Sequence, residues 1–220
     1  MFAQFVLFDG FDPLDVIAPL EVLDAGRLVT GGGVTVELVS AEGARRVPSG
    51  IPAISLDAAA RLDPDRADLI VVPGAVGRLA EGPDDQRADT IPMIIARSLG
   101  TELPALLREA LDSQDTTVAT VCGGSLVLAM AGLIKGRCAT THLSGMDTLT
   151  ATGVTAIDAR VVDDGDLISG ASVTSGLDLG LYLVERELGP RIANAVEKLF
   201  AHERRGTVWR NAGRNPTVAL

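Results

Sequence analysis

Short apolar runs of strand length alternate along the chain with longer stretches whose apolar residues recur at helical spacing. The runs include "FAQFVLF" (2–8), "DLIVVPG" (68–74) and "TTVATVC" (116–122), and "PLDVIAPLEVLDAGRLV" (13–29) is one of the helical stretches. Continuous apolar strands are typical of sheets that are buried on both faces, and such sheets are mostly parallel with helical connections. The pattern therefore predicts an α/β sandwich with a mostly parallel central sheet.

Three further elements are predicted toward the C-terminus. "ARVVDDGDLISGA" (159–171) has two strand-like runs around the turn pair Asp164-Gly165, which predicts a hairpin. Residues 177–189 and 190–203 have apolar residues at helical spacing, and Pro190 suits the start of the second helix. These two helices are expected to close the fold.

A length of 220 residues fits one domain, which we place over 1–220. Two segments do not follow the alternating pattern. The segment 76–115 is expected to form a lid or an insertion, and 204–220 a C-terminal tail.

The composition restricts the classes of partner. The net charge of −10 makes nucleic acid a poor partner. The start "MFAQFVLFDG" lacks a basic region and a cleavage site, and the chain has no uninterrupted apolar run of membrane length. We therefore expect a cytoplasmic protein without a membrane partner. Two cysteines and two histidines, without CxxC or HExxH spacing, predict neither a disulfide scaffold nor a metal site.

Cys122 lies where a predicted strand meets a predicted helix, in "TTVATVCGGSLVLAMAG" (116–132). Gly123 and Gly124 permit a sharp turn, and the N-terminus of the following helix would lower the pKa of a thiol placed there. This is the arrangement of a nucleophile elbow with sulfur in place of oxygen. The alternative is that Cys122 is a small apolar core residue.

Other predicted strand ends offer partners for the cysteine. The turn in "VVPGAVG" (71–77) contains Gly74, and its N–H groups could join that of Gly123 as an oxyanion hole. Four acids lie near the crossing from the first strand to the first helix: Asp9, Asp12, Asp15 and Glu21. Most would be turn or capping residues, but Asp15 is flanked by apolar neighbours and could move a proton.

A second possible partner is His142, in "ATTHLSG" (139–145). Cys138, in "GRCATTH", is expected to be a packing residue.

Four segments in this order resemble the ThiJ/PfpI family, within the class I glutamine amidotransferase-like superfamily. They are "LDVIAPLEVL", "DLIVVPGA", "VATVCGGSLVLAMAGLIKGRCATTH" and "GASVTSGLDLGLYLVEREL". Within the family the chain most resembles the isocyanide hydratases and the ligand domains of AraC-type regulators.

The resemblance implies a flavodoxin-like three-layer sandwich that forms a homodimer and needs no metal or organic cofactor. It implies that Cys122 is the nucleophile and that Asp15 is the acid beside it. The implied oxyanion donors are Ala75 and Gly123. His142, in the family's "TTH" stretch, would support the site or a dimer contact.

For an isocyanide hydratase, the implied reaction is attack of the Cys122 thiolate on the terminal carbon of R–N≡C. The resulting thioimidate would be hydrolysed to an N-substituted formamide. Two alternatives stay open. One is a glyoxalase, deglycase or amidase activity on a small carbonyl substrate, and the other is a ligand- or oxidation-sensing domain without turnover.

The chain departs from the family pattern at three places. Gly123 stands where the hydratases carry a threonine, and the turn is "PGA" rather than "PGG". The segment 76–115 is longer than the usual connection.

Overall fold

A computed structural model describes residues 1–82 and 85–214. The strands are β1 (Phe2–Leu7), β2 (Thr35–Ser40), β3 (Arg45–Pro48), β4 (Ser55–Ala58), β5 (Ala60–Arg61), β6 (Leu69–Val72), β7 (Thr117–Val121), β8 (Cys138–Ala139), β9 (Thr155–Ala156), β10 (Val161–Asp163), β11 (Leu167–Gly170) and β12 (Trp209–Arg210). The helices are α1 (Pro13–Thr30), α2 (Ile91–Leu99), α3 (Leu103–Asp112), α4 (Gly124–Met130), α5 (Met146–Ala151), α6 (Ser175–Leu188) and α7 (Pro190–Phe200).

The central sheet has eight strands in the order β12-β10-β11-β7-β6-β1-β2-β5. Every neighbouring pair is parallel except the hairpin β10–β11. The predicted mostly parallel sheet and the predicted hairpin are therefore confirmed. Because β1, β6 and β7 run in the same direction, their carboxyl ends meet at one edge, where ligands bind in such sheets.

The helices flank this sheet in two groups. α1, α6 and α7 contact one another, while α2 and α5 contact α4, and α3 and α4 contact β7. The core between the layers is mostly aliphatic, and its largest fully buried side chains include Phe5, Phe11 and Ile70. The prediction of an α/β sandwich is confirmed.

The two segments that did not follow the pattern have regular structure. Within 76–115 the chain forms α2 and α3, and α2 packs against α4. Within 204–220, β12 pairs with β10 at the edge of the sheet, and residues 215–220 lie outside the described part. The segment 204–214 is therefore attached to the body of the protein.

A buried carboxylate anchors this C-terminal segment. Asp178, 2% exposed, accepts hydrogen bonds from Arg160 Nε at 2.6 Å and from the backbone N–H of Arg205 at 2.8 Å. Its Oδ1 atom also lies 3.3 Å from Nε2 of His202. A buried carboxylate needs such partners because burial without them is costly.

Over residues 1–82 and 85–214, we find no helix that combines the length and the apolar character needed to cross a bilayer.

Candidate active site

Cys122 forms the junction between β7 and α4. Its φ angle is 54°, in the left-handed region that non-glycine residues rarely adopt, and its N–H donates to the carbonyl of Gly170 at 3.0 Å. The side chain is buried, with 6% of the residue exposed. A strained cysteine between a strand and a helix has the geometry of a nucleophile elbow.

Close backbone packing holds the elbow against the turn after β6. A Cβ atom on Gly124 would lie 2.2 Å from the carbonyl oxygen of Val72, and one on Gly74 would lie 2.5 Å from the nitrogen of Gly123. Glycine is therefore required at positions 74 and 124, because real Cβ atoms do not approach other atoms so closely.

Asp15 reaches the elbow from the first turn of α1. The residue is fully buried, and its Oδ2 atom accepts a hydrogen bond of 2.9 Å from the N–H of Gly74. Its Oδ1 atom has no hydrogen-bond partner among the residues that the structure describes. α1 is oriented here by Asp12, whose Oδ1 atom caps the helix by accepting from the N–H of Leu14 at 3.0 Å.

The environment keeps Asp15 in the protonated form. Burial and the negative charge of Asp12 raise the pKa of Asp15 to about 8, against weaker opposing effects of the Gly74 N–H and the Cys122 thiol. A carboxyl group with such a pKa is suited to donate a proton near neutral pH.

The expected low pKa of the Cys122 thiol is wrong. Burial, and then the charge of Asp15, raise the pKa of the thiol, and the nearby N–H of Gly123 opposes this only in part. Desolvation therefore outweighs the stabilisation of the thiolate by the Gly123 N–H at the start of α4. Since an ionised Asp15 is one cause of the rise, protonation of Asp15 makes the thiolate easier to form.

Two backbone N–H groups face the same region. The Ala75 nitrogen lies 3.7 Å from the position of a Cβ atom on Gly123. Hydrogen bonds from Asp12 N to Gly74 O (2.9 Å) and from Val76 N to Gly10 O (3.1 Å) hold the chain on either side of Ala75. Neither Ala75 N–H nor Gly123 N–H donates to a backbone carbonyl within the described ranges, so both are available to an oxyanion.

The structure does not show His142 bonded to the acid–thiol pair. Both recorded hydrogen bonds of its Nδ1 atom are with Ser144, the side chain at 2.8 Å and the N–H at 3.2 Å. His142 thereby caps the 3₁₀ turn Leu143–Gly145. Its role in the site stays a prediction.

Three side chains that the sequence did not single out support the elbow. Thr141 is buried and donates from Oγ1 to the carbonyl of Cys122 at 2.7 Å. The hydroxyls of Thr120 and Ser125 lie 2.6 Å apart and join β7 to α4. The only sequence signal for them is a hydroxyl group in an otherwise apolar segment near the cysteine.

The available groups define the chemistry of this site. They are one thiol, one carboxyl whose raised pKa favours the protonated form, and two N–H groups that donate to no backbone carbonyl within the described ranges. Within residues 1–82 and 85–214 no cluster of three or more His, Cys, Asp or Glu is arranged to bind a metal ion. The set is suited to covalent catalysis on a small electrophile, with proton transfer by Asp15.

Comparison with known proteins gives relatives of more than one activity. Isonitrile hydratase from Pseudomonas putida is 35% identical over 130 residues, which cover 59% of this chain and 50% of that protein. Deglycase PfpI from Pyrococcus furiosus is 34% identical over 108 residues, covering 49% of this chain and 55% of that protein. The chain thus matches about half the length of these relatives.

The fold has close structural neighbours. A solved structure of a ThiJ/PfpI family protein from Pseudomonas syringae has a TM-score of 0.75 and 25% identity, covering 97% of this chain and 78% of that one. The model of the DJ-1/PfpI family matches residues 2–186. The chain therefore belongs to the DJ-1/PfpI family.

Proposed function

We propose that the protein is a cysteine-dependent hydratase that adds water to a small electrophile, with an isocyanide as substrate and an N-substituted formamide as product. The observation that carries the proposal is the pairing of Cys122 with the buried Asp15, whose raised pKa favours the protonated form, beside two N–H groups that donate to no backbone carbonyl within the described ranges. The identity with isonitrile hydratase over 130 residues supports the choice of substrate.

In the first step the sulfur of Cys122 forms a bond to the terminal carbon of R–N≡C as the S–H bond breaks. Asp15 gives its proton to that carbon and takes up the proton that the thiol loses, so the product of the step is a thioimidate, R–N=CH–S–Cys, and Asp15 is again protonated. The electrophilic carbon and the basic carbanion-like centre are the same atom, and this explains why an acid must lie directly beside the nucleophile.

In the second step water adds to the thioimidate carbon. The nitrogen takes one proton from the water, the other proton passes through Asp15 to the sulfur, the C–S bond breaks, and the formamide R–NH–CHO leaves. The thiol and the protonated Asp15 are restored. The N–H groups of Ala75 and Gly123 would stabilise the oxygen of the tetrahedral intermediate.

A deglycase or related activity on a small carbonyl compound is the second candidate, favoured by the identity with deglycase PfpI over 108 residues. The same thiol, acid and N–H groups would act on a carbonyl carbon. A ligand- or oxidation-sensing role without turnover is the third candidate, and no contact among the described residues favours it over turnover.

We also propose that His142 supports the loop after the elbow, that the protein forms a homodimer in the cytoplasm, and that turnover needs no cofactor. These proposals rest on the family. Sedimentation velocity of the purified protein tests the dimer, and a monomer at micromolar concentration would contradict it.

The central experiment is to mix the protein with alkyl and aryl isocyanides and to follow the formyl proton of the product by NMR. We expect formamide with the wild type and with Cys138→Ala, and none with Cys122→Ala. Cys138 is the matched control because it is the other cysteine and is partly exposed. Equal loss in both variants, or equal turnover, would contradict the assignment of the nucleophile. Absence of formamide with every isocyanide, together with turnover of methylglyoxal adducts, would favour the second candidate.

A further inference from the structure

Gly123 lacks a side chain although nothing in the structure forbids one. Its φ and ψ angles are −68° and −2°, which any residue adopts. A Cβ atom there would lie 3.5 Å from Gly74 Cα, 3.7 Å from Ala75 N and 3.8 Å from Ile95 Cδ1. These are ordinary contact distances, unlike those at Gly74 and Gly124. The bare position therefore leaves a space of about one methyl group beside the nucleophile.

Helix α2 closes this space. Ile95 is 2% exposed, and its terminal methyl group is the nearest side-chain atom to the open position. Two backbone hydrogen bonds hold the start of α2: Arg78 N donates to Asp89 O at 2.9 Å, and Ile91 N donates to Arg78 O at 3.1 Å. The segment that the sequence marked as unusually long thus supplies the apolar wall of the site.

The neighbouring residue Ile94 has a different position on the same helix. Its side chain packs against two glycines: a Cβ atom on Gly10 would lie 2.5 Å from Ile94 Cγ2, and one on Gly77 would lie 2.7 Å from Ile94 Cδ1. Ile94 also lines a cavity of about 850 Å³ at this edge of the sheet, and Cys122 is not among the residues that line it. α2 therefore presents Ile95 to the elbow and Ile94 to the cavity.

We propose that Gly123 and Ile95 together determine which substrates the site accepts. They would do so by limiting the size of the group R, which in R–N≡C is bonded to the nitrogen beside the reacting carbon. The space takes a compact aliphatic group, because its boundary is backbone and a methyl group and offers no polar side chain to a substituent. This inference rests on the proposed function for the identity of the electrophile. The steric part concerns access to Cys122 and applies to any reagent that reacts with the thiol.

The first test uses methyl, isopropyl and tert-butyl isocyanide with the wild type, Gly123→Ala, Ile95→Val, Ile95→Ala and Ile94→Ala. We expect Gly123→Ala to lower the kcat/KM ratio of tert-butyl to methyl isocyanide by about tenfold, and Ile95→Ala to raise it by about tenfold, as removing or adding a methylene-sized space does. Ile95→Val should raise the ratio less. Ile94→Ala should leave the ratio unchanged, since that side chain does not face the elbow.

The second test does not depend on turnover. The rate of Cys122 alkylation by N-methyl and N-tert-butyl iodoacetamide, in which the sulfur displaces iodide, is measured by mass spectrometry of the peptide. The ratio of the N-tert-butyl to the N-methyl alkylation rate should fall in Gly123→Ala and rise in the Ile95 variants. If the ratio shifts while no isocyanide is hydrated, the proposed function fails and this inference stands.

Two outcomes overturn the inference. One is an unchanged alkylation ratio in both Gly123→Ala and the Ile95 variants. The other is an equal shift in Ile94→Ala, which would mean a general loosening of α2. Thermal melting followed by circular dichroism identifies any variant that does not fold. If Ile95→Ala does not fold, the alkylation ratio of Ile95→Val is used in its place.

Discussion

The Oδ2 atom of Asp15 accepts a 2.9 Å hydrogen bond from the N–H of Gly74, and these two residues are 59 positions apart in the chain. The carbonyl of Gly74 in turn accepts from the N–H of Asp12 at 2.9 Å. The start of α1 and the turn after β6 are thereby held together on both sides of the acid. The other oxygen of Asp15 stays buried and unpartnered within the described part of the chain, which leaves it free for proton transfer.

Asp15→Asn is expected to lower kcat by at least about 100-fold, because an amide cannot give its proton to the substrate carbon. The side-chain oxygen of asparagine can still accept from Gly74, so the fold should be kept. Steady-state kinetics measures the effect. Asp9→Asn is the control, since Asp9 lies just before the same helix but is exposed and paired with Arg45. A wild-type rate in Asp15→Asn would remove this residue from the mechanism.

Asp15 should also make the protein less stable as the pH rises. Its pKa is about 8 in the folded protein against 3.8 for the free side chain, so between these values the folded state binds a proton that the unfolded state does not. This contribution is fully present below about pH 4 and is lost as the pH rises to about 8, with a slope of up to about 1.4 kcal/mol per pH unit. Urea unfolding of wild type and Asp15→Asn at about pH 5.5 and about pH 8.5 measures it. The variant should lose less stability over this interval, and equal losses would contradict the raised pKa.

Asp12→Asn should move the alkaline limb of the kcat profile to lower pH. The charge of Asp12 is one cause of the raised pKa of Asp15, and removing it lets Asp15 ionise earlier. Asparagine is as good a helix cap as aspartate, so α1 should start at the same residue. The pH dependence of kcat is recorded for the wild type, Asp12→Asn and Asp9→Asn. A profile of Asp12→Asn that coincides with the other two would show that Asp12 has only a capping role.

Gly74→Ala should damage both the site and the fold. The added methyl group would lie 2.5 Å from the nitrogen of Gly123 and 2.9 Å from Oδ2 of Asp15, so the elbow and the turn must separate. We expect a loss of about 1–3 kcal/mol in the free energy of unfolding and a large loss of turnover. Gly82→Ala is the control because a Cβ atom there has no neighbour within 4 Å among residues 1–82 and 85–214. Chemical unfolding and steady-state kinetics are measured for both variants. Equal stability and equal turnover in Gly74→Ala and Gly82→Ala would show that the close approach at Gly74 does not matter.

Asp178→Ala should destabilise the protein without touching the site. It removes the buried partner of Arg160 and of the Arg205 N–H, and breaking such a pair costs about 3–5 kcal/mol. Asp57→Ala, at an exposed strand position, should cost much less. Thermal unfolding of both variants measures the difference. Similar melting temperatures would mean that the C-terminal segment is held by other contacts.

The alternation of strands and helices was predictable from the sequence because a buried parallel strand must be apolar on both faces. The continuous apolar runs "FAQFVLF" and "DLIVVPG" meet that requirement. The hairpin was predictable for a local reason, since Asp164-Gly165 favours a turn. The turn at Cys122 was also predictable from the two glycines that follow it, but the reason was different: Cys122 itself adopts the positive φ, Gly123 has helical angles, and Gly124 is glycine because a side chain has no room there.

The segment 76–115 could not be assigned from its pattern. The helix α2 is only nine residues long and follows a polar stretch, so its periodicity was too short to recognise. Its importance comes from the approach of Ile95 to the open position at Gly123, which depends on how the helix packs against residues distant in the chain.

The sequence by itself determined the sheet, the order of its elements and the position of the cysteine, because these follow from local periodicity and from neighbours in the chain. Only the tertiary structure decided the protonation of the site. Asp15 comes from the first turn of α1, Gly74 from the turn after β6, and Cys122 from the end of β7; burial of the acid and of the thiol raises both of their pKa values. Desolvation is a property of the assembled core, and for this reason the low thiol pKa that the helix N-terminus alone predicts was wrong.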